Sequence, residues 1–288
     1  MTTFISILIL AGPGRIKELK RCLSSIQKAT YKNYEILIVD NSGNPKVIKK
    51  LKENFPKVKI YHLPYNTGIF GYNVGFVNAA ADFIFSLDND CTVEKDTFKK
   101  IVSSFLEKPK SVGVLTLNVK NPLSNDLNEE KLDRSTIPLT FAGGASVFRK
   151  QIFEKVGYYD QDFFCWRHEL DLSIRILNAG YSIYFEENIN INHYDKSLSF
   201  RQEKIFLDTR NKAWFNIKYF SFYYFPVLVI RDIIWLLLLP VRHKCIYAFF
   251  FGVIGYLFGY LTFFIPLAKR QSISNKVQRL YLKALLFH

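Results

Sequence analysis

The sequence predicts an α/β fold, a Rossmann-like, mostly parallel mixed sheet flanked by helices, followed by a C-terminal apolar helical region. Three observations carry that expectation. Short β-type runs alternate with helical stretches through the first 120 residues, which is the pattern of βαβ units. Two of those runs end in aspartate, at Asp40 and Asp88, and residues just past the carboxyl ends of strands line the ligand crevice of an open parallel sheet. An uncharged run from Ile246 to Ala268, and an apolar stretch from Tyr219 to Val241 broken only by Arg231 and Asp232, set the end of the chain apart.

The elements follow in order. Phe4 to Leu10 is a continuous apolar strand, closed by the turn Gly12-Pro13-Gly14 rather than by a signal-peptide cleavage site. Ile16 to Lys28 places Leu19, Cys22, Leu23 and Ile26 at helical spacing. Tyr34 to Val39, Val58 to His62 and Phe83 to Leu87 read as further buried strands. Asn118 to Pro138 is polar and without period, so it reads as a surface loop or flap. Phe141 to Phe148 reads as strand, Lys150 to Val156 as a short helix, and His168 to Ala179 as an amphipathic helix stopped by Gly180. A division near residue 205 follows, with residues 1–205 as one α/β domain and 206–288 as a basic and apolar helical, membrane-associated tail.

Charge supports that division. The chain of 288 residues carries 39 Lys plus Arg against 25 Asp plus Glu, a net +14, and its 49% hydrophobic content excludes disorder over most of its length. Residues 206–288 hold 11 of the basic and 2 of the acidic residues, so +9 of the excess lies beside the apolar runs. Such a tail suits an anionic membrane surface, and the alternative is a buried helical pair in a globular protein. Whether residues 246–268 span a bilayer or lie in its interface stays open at this point. No nucleic-acid partner is expected, because the basic residues are interleaved with long aliphatic runs. The four cysteines form no Cys-x-x-Cys pair, which argues against a zinc site or a disulfide framework.

Four constellations carry possible chemistry. Asp88-Asn89-Asp90 leaves a buried strand with two carboxylates that can reach one hard divalent cation, or can cap a turn. Asn66 to Gly75 is rich in glycine and amide side chains, suiting either a sugar-phosphate cradle or a tight turn with glycine at positive φ. Glu169 opens the later helix, as a helix-start carboxylate or as a general base facing a crevice, while Asp171 and Arg175 are spaced for an i,i+4 ion pair. His193 ends the run from Ile189 to Asn192, and is either structural or a second metal ligand beside Asp90.

Taken in order, these pieces resemble the inverting family 2 glycosyltransferases with the GT-A fold. Ile38-Val39-Asp40-Asn41-Ser42 is similar to the family's Val-Asp-Asn strand end, and Leu87-Asp88-Asn89-Asp90 to its Leu-Asp-x-Asp motif. His193 with Ser197 is similar to its His-x-x-x-Ser segment, and Arg210-Asn211 to its Arg-Asn pair. The pattern of Asn66, Gly68, Gly71, Asn73 and Gly75 resembles the rhamnosyltransferase-like branch. Leu10-Ala11-Gly12-Pro13-Gly14 stands where the family usually has Pro-Thr-Tyr-Asn, and His168-Glu169 where it has Glu-Asp, which aligns Glu169 with the usual catalytic aspartate.

The resemblance implies metal-dependent inverting transfer of a sugar from a nucleoside diphosphate sugar to a saccharide or lipid-linked saccharide, in glycan assembly at the cytoplasmic face of the cell membrane. It implies Glu169 as general base and Asp90 with His193 as ligands of Mg²⁺ or Mn²⁺. Asp88 would contact the donor's ribose or sugar-phosphate, and Asp40 its nucleobase. Asn66, Gly68 and Asn73 would complete the donor site. The rivals are a polyprenyl-phosphate sugar synthase, whose phosphate acceptor scarcely needs a general base, and a non-catalytic nucleotide-sugar-binding membrane scaffold.

Overall fold

The computed structural model describes residues 3–44, 51–123, 138–194 and 201–287. Most of the expected loop from 118 to 138, and Ser197, lie outside the described residues.

The strands are β1 (Ile5–Ala11), β2 (Tyr34–Asp40), β3 (Val58–His62), β4 (Phe83–Asp88), β5 (Cys91–Val93), β6 (Val112–Lys120), β7 (Ala145–Arg149) and β8 (Ser182–His193). They form one sheet in the order β3-β2-β1-β4-β7-β6-β8-β5. β1 pairs in parallel with β2 and β4, β2 with β3, and β6 with β8, while β7 runs antiparallel to both its neighbours and β5 antiparallel to β8. The sheet is thus mixed and mostly parallel, as the sequence predicts. The chain winds outward from β1 through β2 to β3, then returns to place β4 on the other side of β1. That reversal opens a crevice at the carboxyl ends of β1 and β4, where Leu10 lies in register with Asp88.

Helices cover both faces. α1 (Ile16–Gln27) buries the stripe Leu19, Cys22, Leu23 and Ile26, each removed from water at a gain of roughly 1.5–3 kcal/mol for the larger apolar side chains. The other long helices are α2 (Tyr72–Asn78), α3 (Thr97–Glu107), α4 (His168–Asn178), α5 (Gln202–Tyr219), α6 (Phe225–His243), α7 (Tyr247–Leu261) and α8 (Asn275–Phe287). α4 buries Leu172, Ile174 and Ile176 completely.

Two sequence expectations change. The run from Phe141 to Phe148 is a strand only from Ala145, because Gly143 and Gly144 lie in a turn before it. The uncharged run from Ile246 to Ala268 is not one helix: α7 ends at Leu261, and a short helix, Phe264–Ala268, follows. At 1.5 Å per residue the 15 residues of α7 reach about 22 Å, short of a hydrocarbon core of about 30 Å. Among the described residues, the helical stretch long and apolar enough to cross a membrane is instead Phe222–His243, 22 residues whose apolar 18-residue window has mean hydropathy 1.9.

Residue 205 falls inside α5, and the hydrophobic core runs across it. Phe163 and Ile174 pack in one cluster with Trp214, Phe215, Tyr219 and Tyr281. Buried charge seals the same junction. Asp171 accepts from Arg175 at 2.6 Å, from Lys218 at 2.7 Å and from the Tyr219 hydroxyl at 2.6 Å, and Lys218 also reaches Asp160 at 2.7 Å. The i,i+4 pair expected within α4 is therefore the centre of a network that fastens α5 to it.

Candidate active site

The crevice is built from the ends of β4 and β8 and the start of α4. Asp88 closes β4, its Oδ1 accepting from the Tyr72 hydroxyl at 3.0 Å and its backbone N–H donating to the Gly144 carbonyl at 3.0 Å. Burial raises the Asp88 carboxyl above its ordinary value, and the nearby Asp90 charge adds to the rise. A β-carbon on Gly144 would sit 2.0 Å from Asp88 Oδ2, and one on Gly143 would sit 2.8 Å from Glu169 Oε1. Two carboxylates from separate elements thus close on one diglycine turn, where any larger residue would have to displace them.

Glu169 lies in the first turn of α4, where the helix dipole favours a carboxylate. His168 Nε2 is 3.0 Å from its Oε1. Burial pushes Glu169 up, but the His168 imidazole, their hydrogen bond and the Arg167 guanidinium outweigh it and hold the carboxyl below the usual glutamate range. Its side chain keeps 28% exposure, so it is ionised and accessible.

The segment before α4 is conformationally costly. Phe164, Trp166 and Arg167 all have φ near +50° to +60°, at roughly 1–3 kcal/mol each. Asn211 Nδ2, fully buried, holds them by donating to the carbonyls of Phe163 at 2.9 Å, Cys165 at 2.7 Å and Trp166 at 2.8 Å. The Arg210-Asn211 pair therefore shapes the approach to Glu169.

Asp90 and His193 meet because β5 and β8 pair with Cys91 opposite His193. Asp90 Oδ1 is 3.2 Å from His193 Nε2. Two ligands at right angles around an ion with bonds of about 2.1 Å stand about 3 Å apart, so the pair fits one Mg²⁺ or Mn²⁺. The Cys91 sulfur also lies within 4.8 Å, but burial pushes that thiol up and keeps it neutral, and sulfur is a poor partner for hard cations. Burial opposes ionisation of Asp90 as well, yet the His193 hydrogen bond and charge and the Arg15 guanidinium hold its carboxyl below its ordinary value. Arg15 forms an ion pair with the other oxygen, Asp90 Oδ2.

The remaining expected donor contacts are engaged inside the protein. Asp40 is fully buried, its Oδ1 accepting from the Ser42 N–H at 3.0 Å and its Oδ2 2.9 Å from His62 Nδ1, so it braces the strand end. Asn66 Oδ1 accepts from Asn41 Nδ2 and the Gly68 N–H, both at 2.9 Å. A β-carbon on Gly68, at φ +61°, would meet the Phe164 carbonyl oxygen at 2.2 Å. Asn73 latches Tyr159, donating to its carbonyl at 2.8 Å and accepting from its N–H at 3.0 Å. The glycine and amide pattern of residues 66–75 is thus engaged in packing within the protein, and an amide side chain and a missing β-carbon suit a tight joint as well as a ligand.

A cavity of about 250 Å³ lies beyond the turn after β1, lined among others by Pro13, Gly14, Arg15, Ser42 and Asn44. It stands at the carboxyl ends of β1 and β2, next to the Asp88–Asp90 loop.

Residues 14–159, spanning β1's closing turn to the start of the α4 approach, match the family model described as Glycosyl transferase family 2. The chain belongs to glycosyl transferase family 2. Among curated family relatives, a dolichyl N-acetyl-α-D-glucosaminyl phosphate 3-β-D-2,3-diacetamido-2,3-dideoxy-β-D-glucuronosyltransferase of Methanococcus voltae is 29% identical over 224 residues, 67% of this chain and 68% of that one. A poly-β-1,6-N-acetyl-D-glucosamine synthase of Staphylococcus aureus is 24% identical over 197 residues, 62% of this chain, which spans only 47% of that longer protein. Among solved structures, a mannosyltransferase from Pyrobaculum calidifontis in complex with GDP-Man and Mn²⁺ superposes with TM-score 0.57 at 14% identity, over 74% of this chain and 63% of that one. S. aureus TarS 1–349 with UDP-GlcNAc gives TM-score 0.56 at 16% identity, over 73% and 66%. These structures share the GT-A fold with the family 2 chain described here.

The sequence missed Gly143, Gly144, Tyr72 and Arg15 as parts of the crevice. The Gly143-Gly144 doublet was the available signal, since two adjacent glycines inside an apolar run mark a close backbone approach.

Proposed function

We propose that the protein transfers a sugar from a nucleoside diphosphate sugar to a saccharide or lipid-linked saccharide at a membrane surface, with inversion at the anomeric carbon. The observation that carries this reading is the convergence of Glu169 and Asp88 on the Gly143-Gly144 turn, beside the Asp90–His193 pair. Glu169, ionised and accessible, takes the proton from the acceptor hydroxyl as that oxygen attacks. Asp88 faces the donor's ribose or sugar-phosphate. Asp90 and His193 hold the Mg²⁺ or Mn²⁺, which when bound supplies positive charge to a leaving nucleoside diphosphate. The cavity lined by Pro13, Ser42 and Asn44 is the place for the nucleoside, at the strand end that carries Asp40.

The acceptor and the membrane enter from the tail. α6 and α7 turn Ile230, Ile234, Leu237, Leu238, Phe250 and Leu257 to the outside, each at least half exposed. Arg242, in the last turn of α6, and Lys244, just after it, are both exposed. An apolar face with cations at its edge is complementary to a leaflet with anionic headgroups. The names of the relatives support glycan assembly, and the Methanococcus enzyme's name supports a lipid-linked acceptor. The pattern of residues 66–75 makes a nucleoside diphosphate rhamnose one donor to test first, although its side chains are used in packing.

The test is a panel of UDP-, GDP- and dTDP-sugars given to the purified full chain with Mn²⁺ and detergent-solubilised lipid-linked saccharide. Metal-dependent transfer to the saccharide is expected. Transfer to a bare polyprenyl phosphate that survives Glu169→Gln would favour the synthase reading, and binding with neither transfer nor hydrolysis would favour the scaffold.

A further inference from the structure

The turn that departs most from the family pattern holds an arginine at the junction of the two halves of the donor site. Arg15 lines the cavity beyond β1 and also pairs with Asp90 Oδ2. A nucleoside in that cavity and a cation between Asp90 and His193 can be joined by one diphosphate only if it passes Arg15. We propose that Arg15 is a displaceable counter-ion, which neutralises Asp90 before the metal arrives and then transfers its guanidinium to the donor's diphosphate. The proposal rests on the donor and metal site assigned above.

Three observations support the movement. The Arg15 side chain is 43% exposed while that of Asp90 is 5% exposed, so the mobile partner is the arginine. Gly12 and Gly14 have nothing within 4 Å of where a β-carbon would stand, so the turn carrying Arg15 is not packed in place. Arg21, the second arginine at Asp90, is held differently: it donates to the Asp90 backbone carbonyl at 3.4 Å and lies 3.8 Å over the Tyr194 ring. Among the described residues it pairs with no carboxylate that it would have to give up. Electrostatics favours the exchange. A divalent cation on Asp90 Oδ1 and a guanidinium on Oδ2 of the same carboxylate repel each other across a few ångströms, and a diphosphate with one divalent cation retains negative charge for the arginine to meet with bidentate bonds.

The consequence is a pair of effects opposite in sign, read by calorimetry on the full chain. Arg15→Ala binds Mn²⁺ alone about fivefold tighter than wild type, because a competitor for Asp90 is gone. The same variant binds UDP or GDP in saturating Mn²⁺ about tenfold more weakly, because a charge-assisted contact is lost. Arg15→Lys falls between the two on both scales. Thermal melting of each variant checks that the exposed substitution leaves the fold intact. Looser or unchanged Mn²⁺ binding in Arg15→Ala, or undiminished nucleotide binding, overturns the role of Arg15 while Asp90→Ala still abolishes Mn²⁺ binding. If Asp90→Ala leaves Mn²⁺ binding unchanged, the metal site itself falls and the Arg15 proposal with it.

Discussion

The crevice and the tail junction both bury carboxylates, and they treat them in opposite ways. At the junction Asp171 meets Arg175, Lys218 and Tyr219. Farther along, Asp232 meets Lys212 at 3.0 Å, Asn216 at 2.7 Å and the Tyr256 hydroxyl at 3.0 Å, besides Arg231. In the crevice Asp88 has the Tyr72 hydroxyl, and no lysine or arginine pairs with it among the described residues. Asp90 has a histidine and an arginine that is exposed enough to leave. A buried carboxylate with every lone pair answered holds a structure together. One left short of positive charge is prepared for a ligand that brings its own.

The largest effect expected from breaking this contrast is at the junction. Asp171→Ala leaves Arg175 and Lys218 buried without their shared anion, and should cost about 3–5 kcal/mol of stability, read as a lowered denaturation midpoint. In the crevice the loss should fall on chemistry instead. Gly144→Ala drives a methyl group into Asp88 and should lower transfer about 100-fold, about 2.7 kcal/mol of barrier, while the denaturation midpoint moves far less. A midpoint that falls as far as in Asp171→Ala would erase the distinction.

Acid sharpens the same comparison more gently. The Asp160 carboxyl is held down at about 2: burial opposes this, but the Lys218 charge and hydrogen bond and the Lys269 hydrogen bond prevail. Its folded value lies below its unfolded value of about 3.9, so its stabilising contribution is complete above about pH 4 and is lost as pH falls toward 2. Asp160→Asn should flatten the fall in melting temperature between pH 4 and 2. The smallest effect is on the outer face of the tail. Leu237→Ser with Leu238→Ser should weaken co-sedimentation with anionic vesicles several-fold and leave Mn²⁺-dependent nucleotide binding unchanged.

Much of this was legible in the sequence. Hydrophobic periodicity located β1 to β4 and α1, and the aspartates at strand ends marked the crevice. Glu169, Asp88, Asp90 and His193, taken from widely separated segments, do come together. What escaped was pairing across the fold. Nothing near Asp40 in sequence announces that His62 will take its carboxylate, because register between strands decides it, and nothing near Asp90 announces Arg15, because two loops from separate segments bring them together. The packing of Asn66, Gly68 and Asn73 was not legible either, because a ligand cradle and a tight packing joint ask for the same residue types. The division at residue 205 followed composition, whereas the core follows contact, and Phe163, Ile174 and Trp214 carry it across that line.

The central claim is that Glu169 acts on the acceptor and not on the donor. Glu169→Gln keeps size and hydrogen bonding while removing the basic carboxylate, so donor binding and sugar transfer should part company in one protein. Calorimetry with nucleoside diphosphate and Mn²⁺, set beside single-turnover transfer, tests it directly. The account predicts wild-type donor affinity with transfer lowered by at least about 100-fold. Undiminished turnover, or a loss of donor binding that matches the loss of transfer, would contradict it.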